Sequence, residues 1–105
     1  MAKYISIDNN VTAVHVLVSK ATNTNSNLKS IAFSNTSASQ SLGIRLFLDN
    51  ELSPGLEYII AYIDVPPTTT YVYDGVHINF DSTKYALKVN LTPASGNRFL
   101  DIIIN

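Results

Sequence analysis

The sequence predicts an all-β protein: a single antiparallel β-sandwich of seven to eight strands over residues 1–105, in a Greek-key or jelly-roll order. Three observations carry this. Apolar residues recur with a period of two and never with a period of 3.6 over a helix length. Asn, Ser and Thr supply 31 of the 105 residues, against 15 charged ones, and these side chains compete for nearby backbone groups, favouring turns and exposed strand faces over helices. Six Tyr, four Phe and many Ile and Val push toward sheet. Periodicity alone does not choose between Greek-key and jelly-roll connections.

The elements follow in order. Lys3 to Ile7 is a short candidate strand. Val11 to Val18 is the first clear one, with Val14, Val16 and Val18 on one face and Val11, Ala13, His15 and Leu17 on the other. Ala21 to Asn27 reads as a polar loop. Leu28 to Ser34 follows, with Ile31 and Phe33 sharing a face, and Asn35 to Ser41 is a Ser-rich turn. Leu42, Ile44, Leu46 and Leu48 alternate with Gly43, Arg45 and Phe47. Asp49-Asn50 and Pro54-Gly55 mark the next connection. Glu57 to Val65 is the longest strand, with Ile59, Ala61, Ile63 and Val65 on one face and Tyr58, Ile60 and Tyr62 on the other. Pro66-Pro67 ends it, because proline cannot donate to a sheet ladder. Asp74-Gly75 predicts a tight hairpin between Thr70–Tyr73 and Val76–Phe80, since both central positions of such a turn need positive φ. Tyr85, Leu87, Val89 and Leu91 alternate with Ala86, Lys88 and Asn90. Pro93 to Asn97 is a turn. In the last strand Leu100, Ile102 and Ile104 face one way, and Phe99, Asp101 and Ile103 the other.

Composition excludes several function classes. Seven basic and eight acidic residues give a net charge of −1, which argues against nucleic-acid binding through excess positive charge. With no cysteine there is no disulfide, thiol nucleophile or thiolate metal site. No apolar run has the length of a membrane span or a signal peptide, so a cytoplasmic origin is expected. Asn-x-Ser/Thr triplets at Asn10, Asn35 and Asn90 are the chance product of this composition.

Catalytic patterns are equally absent. His15 and His77 each sit alone in a strand with no second ligand at i+2 or i+4, whereas a zinc site needs three or four converging ligands. The eight acids form no calcium-loop spacing. No nucleophile elbow surrounds a serine, and Gly43, Gly55, Gly75 and Gly96 are too isolated to cradle a phosphate. No catalytic, cofactor or metal residue is assigned, and the expectation is that the chain is not an enzyme. What stands out is large apolar residues on both faces of several strands, where a sandwich buries one face per sheet. Phe47, Tyr58, Ile60, Tyr62, Phe99 and Ile103 are therefore the candidate protein-interface residues, aromatics being enriched at interfaces. Tyr71 and Tyr73, beside the Thr68 to Thr70 loop, are an alternative ligand platform suited to stacking on a sugar ring.

The run SLGIRLFLDN ending at Asn50, the apolar strand from Tyr58 into the Pro66-Pro67 turn, FDSTKYALKV from Phe80 to Val89, and the terminal LDIIIN together resemble the small β-sandwich virion proteins of tailed bacteriophages. The resemblance covers about sixty residues of the second half, and its elements are structural. It implies a non-enzymatic virion protein assembled in the host cytoplasm. The leading expectation is a capsid decoration or cement subunit contacting the major capsid protein, other virion proteins or its own copies, with no nucleic-acid or membrane partner. A neck or tail ring subunit is the close variant. A carbohydrate-binding sandwich module is the alternative from another class.

Overall fold

A computed structural model of the chain describes residues 3–10, 14–20, 25–92 and 98–105. Eight strands account for its regular structure: β1 (Lys3–Asn10), β2 (Val14–Val18), β3 (Asn25–Asn35), β4 (Leu42–Asp49), β5 (Glu57–Val65), β6 (Thr70–Asp81), β7 (Ala86–Thr92) and β8 (Arg98–Ile104). They form two four-stranded antiparallel sheets, ordered β1-β8-β3-β6 and β2-β7-β4-β5. Successive strands keep crossing between the sheets; only β4 and β5 are consecutive neighbours within one. This order is the eight-stranded jelly roll, two Greek keys wrapped on each other, and it resolves the choice that periodicity left open.

The two inner faces build one core. Leu17 of β2, Leu87, Val89 and Leu91 of β7, Leu42, Ile44 and Leu46 of β4, and Ile63 and Val65 of β5 line one side. Ile7, Leu100, Ile102, Ile104, Ile31, Phe33 and Phe80 line the other. Each fully buried side chain of this size contributes about 1.5–3 kcal/mol. The predicted alternation of β4, β7 and β8 matches this division.

Three departures from strict alternation have a local cause. The Asp74-Gly75 hairpin does not form. Both halves of the segment pair with β3 as one long strand, Ser34↔Thr70 to Ser30↔Asp74 and then Leu28↔Ile78 to Asn25↔Asp81. A hairpin would turn the second half back on the first; here the surplus residues are absorbed between Asp74 and Ile78, opposite Ser30 and Leu28. Bulges and tight turns draw on the same Gly-containing signals, so the motif does not distinguish them. In β5 the register shifts between Leu46↔Ala61 and Phe47↔Ile59. Ile60 is the extra residue, and both Ile60 and Ala61 pack on the core, whereas Ile59 is exposed. In β2 the shift falls between Val16 and Val18. It buries Leu17 fully and brings Val18 against the core, away from the outer face shared by Val14 and Val16. β1 also runs three residues longer than predicted, to Asn10, and β3 four residues longer, from Asn25 to Asn35. The Val11–Ala13 part of the first predicted strand and the Pro93–Asn97 turn lie outside the described residues.

Candidate functional site

The outer faces of the two sheets carry the features that bear on function, and they differ in kind. On β1-β8-β3-β6 the register aligns Tyr4, Ile103, Ala32 and Val72 in one row, one residue per strand. They alternate with the buried Ile102, Ile31 and Phe33, so the row points outward. Tyr4 is 74 %, Val72 48 % and Ile103 37 % exposed. With strands about 4.8 Å apart, the apolar row crosses the sheet over roughly 14 Å. The next row along is Ser6, Asp101, Ser34 and Thr70. Its polar groups satisfy one another: Ser6 Oγ donates to Asp101 Oδ1 at 2.9 Å, and the Ser34 and Thr70 hydroxyls bond at 2.8 Å. A shallow depression of about 350 Å³ lies where the two rows meet, between Tyr4, Ser6, Asp101 and Ile103.

On β2-β7-β4-β5 the outer rows are Val14–Asn90–Arg45–Tyr62 and Val16–Lys88–Phe47–Ile59. Phe47 is only 2 % exposed even though it faces away from the core. The Arg45 guanidinium lies 4.4 Å from its ring centroid, a cation–π contact, and Arg45 is itself held by Glu57 at 3.0 Å. Beside it Lys88 bridges Asp49 and Glu51, each at 3.0 Å. The hydrogen bond from the Glu51 N–H and the Lys88 ammonium hold the Asp49 carboxyl below the usual carboxylate range. The same carboxylates raise the Lys88 ammonium above its ordinary value against the opposing effect of burial. The third outer row is Asp64–Gly43–Thr92. A Cβ at position 43 would collide with the Thr92 hydroxyl, which leans over the glycine. Gly43, Arg45, Tyr62, Asp64, Asn90 and Thr92 line a shallow depression of about 390 Å³ there.

The six expected interface residues therefore do not form one surface. Ile103 sits in the apolar row of one sheet, and Tyr62 lines the depression on the other. Tyr58 is half exposed at the start of β5, its ring edge-on to Tyr85 at 5.6 Å. Phe47 is covered by Arg45, Ile60 packs on the core through the β5 bulge, and Phe99 is half-buried. This corrects the expectation for two of them: Phe47 is buried, and Ile60 turns toward the core and is only partly exposed. Tyr71 and Tyr73 pair with Phe33 and Ile31 of β3; Tyr73 packs against the core while Tyr71 stays exposed. Tyr4 and Val72 went unnoticed in the sequence, because only the pairing of distant strands puts them beside Ile103. Among the described residues no three His, Asp or Glu side chains converge to hold a metal ion. The side chain of His77 lies outside the described residues.

No protein-family model and no curated protein matches the chain. Among solved structures, it is similar to the crystal structure of PirA, with a TM-score of 0.61 at 17 % identity, over 97 % of this chain and 90 % of that one. At that identity the likeness is one of fold: it supports the β-sandwich architecture.

Proposed function

We propose that this chain is a non-enzymatic structural subunit of a tailed-bacteriophage virion, a decoration or cement protein that stabilises the head by packing against capsid proteins or its own copies. The observation that carries the reading is the outward apolar row Tyr4–Ile103–Ala32–Val72, set across all four strands of one sheet. The neighbouring polar row has already paired its own groups, so covering this face leaves few polar groups to desolvate. Jelly rolls commonly serve as capsid domains, and the sequence resemblance to virion proteins points the same way. The subunit would act by mass action, binding the assembled shell better than its separate parts.

The test is occupancy of purified particles, read by quantitative mass spectrometry against the major capsid protein. On the order of hundreds of copies per particle is expected for a decoration subunit, and about six to twelve for a neck or tail ring. A Tyr4→Ser/Val72→Ser variant should keep its thermal midpoint, since both sites are exposed, and lose its place on the particle. Absence of the wild-type chain from particles, or unchanged occupancy by the variant, overturns the reading.

A further inference from the structure

We infer that the depression over Gly43, on the sheet opposite the apolar row, is a binding site for a pyranose ring. The inference does not depend on the virion reading, because the two faces lie on different sheets.

Three observations support it. The first is shape. Gly43 carries no side chain in the outer row between Asp64 and Thr92, and the Thr92 hydroxyl leans over it, so this part of the sheet face stays low. The depression there has a volume of about 390 Å³, within the range of small-molecule sites, about 300–1,000 Å³.

The second is unused hydrogen-bonding capacity. Among the described residues, the side chains of Tyr62, Asp64, Asn90 and Thr92 make no hydrogen bond to the protein. On the opposite sheet the corresponding Ser, Thr and Asp side chains pair with one another. The depression thus offers a carboxylate acceptor, an amide that donates and accepts, and two hydroxyls, all on one patch about three residues across. That set matches vicinal hydroxyls, each of which both donates and accepts.

The third is the aromatic wall. Tyr62 is 73 % exposed beside these groups, and an exposed ring next to a polar cluster suits the apolar C–H face of a sugar.

Charge narrows the class further. Arg45 is engaged by Glu57 and by the Phe47 ring, which leaves Asp64 as the uncompensated charge in the depression. A phosphate or other anion would face that carboxylate, and one carboxylate alone does not make a cation site. A neutral polyhydroxylated ring remains. Its source is either a free saccharide or one residue of a longer glycan.

The test uses the whole chain labelled with ¹⁵N and titrated with the methyl pyranosides of glucose, galactose, mannose and N-acetylglucosamine. A second arm measures retention on dextran, agarose and chitin. Saturable shifts at the amides of Gly43, Arg45, Tyr62, Asp64 and Thr92 are expected, with a Kd of about 1 mM for a single ring. Tyr62→Ala and Asp64→Asn should each weaken binding at least about tenfold, or about 1.4 kcal/mol, and Tyr71→Ala should leave it unchanged. Retention on a polymer that Tyr62→Ala abolishes, without shifts from free rings, assigns the site to a longer glycan and equally supports it. The inference is overturned by failure in both arms, or by binding that survives both substitutions. Because Tyr62 is remote from the apolar row, Tyr62→Ala leaves particle occupancy untouched, so the two readings fail separately.

Discussion

Asn35 shows how much a single buried polar side chain can organise here. It is buried at the end of β3, and both its donors and its acceptor oxygen are engaged: Nδ2 donates to the carbonyls of Gln40 at 2.8 Å and Val65 at 3.0 Å, and Oδ1 accepts from the Ser37 N–H at 3.0 Å. Its own N–H donates to the Thr69 carbonyl. One residue thus ties the 36–41 loop to the end of β5 and the start of β6. Replacing it with the near-isosteric Leu would strand two carbonyls and an N–H. Each costs about 1–3 kcal/mol where water cannot reach, but only the bond to Val65 is fully buried and the other two are partly buried, so Asn35→Leu should lower stability by about 2–4 kcal/mol, and Tm by roughly 10 °C or more. Asn35→Asp separates charge from shape. A carboxylate there faces two carbonyl oxygens and must rise in pKa on folding. A raised folded pKa gives stability that is present at low pH and lost as pH rises. Asn35→Asp should therefore melt higher at pH 4 than at pH 7, opposite to an acid-sensitive parent; melts at the two pH values check it. Nothing in the sequence marks Asn35 among eleven Asn residues; its role exists only once β5 and β6 arrive beside it.

The strands were legible wherever one sheet face alternates cleanly. Leu42, Ile44 and Leu46 in β4 and Leu100, Ile102 and Ile104 in β8 point to the core as the period-2 pattern requires. Legibility failed at bulges, because one extra residue flips every side chain beyond it and leaves no compositional trace. Part of the apparent two-faced character of β5 is this effect: Ile60 reads as outward and packs inward. The depression over Gly43 was illegible for a different reason. Its members come from β4, β5 and β7, and their adjacency is a property of register. The end of β4 also carries the electrostatic link between elements, where Lys88 of β7 reaches Asp49 and Glu51. Since folding lowers the Asp49 pKa, through the Glu51 N–H first and Lys88 second, this contribution is present above the unfolded pKa of 3.8 and is lost as pH falls through the folded one. Asp49→Asn keeps an acceptor for the Glu51 N–H and removes the titration. Its thermal midpoint should fall less steeply than that of the parent between about pH 5 and pH 3, as read from a pH series of melts.

At the scale of the molecule, the jelly roll makes the two ends of the chain unequal. β1 is an edge strand whose one sheet neighbour is β8; β8 lies between β1 and β3. β8 contributes Leu100, Ile102 and Ile104 to the core, all buried, and its pairing with β3 runs from Ile31↔Ile104 to Asn35↔Leu100. The last residue adds a further clamp, since Asn105 and Ser30 exchange backbone hydrogen bonds. Removing residues 1–10 should therefore subtract an edge and leave a cooperative, less stable domain. Removing residues 98–105 takes out an interior strand, detaches β1 from the sheet and opens the core along β3. Three buried aliphatic side chains at about 1.5–3 kcal/mol each already approach the 5–15 kcal/mol by which a domain is stable. The C-terminal truncation should show no cooperative melt by circular dichroism, whereas the N-terminal one keeps a sigmoidal transition at lower temperature. A folded C-terminal truncation would mean that β1 can close onto β3 directly. The register argues against that: β8 pairs antiparallel with both, so β1 and β3 run parallel and would need a new ladder.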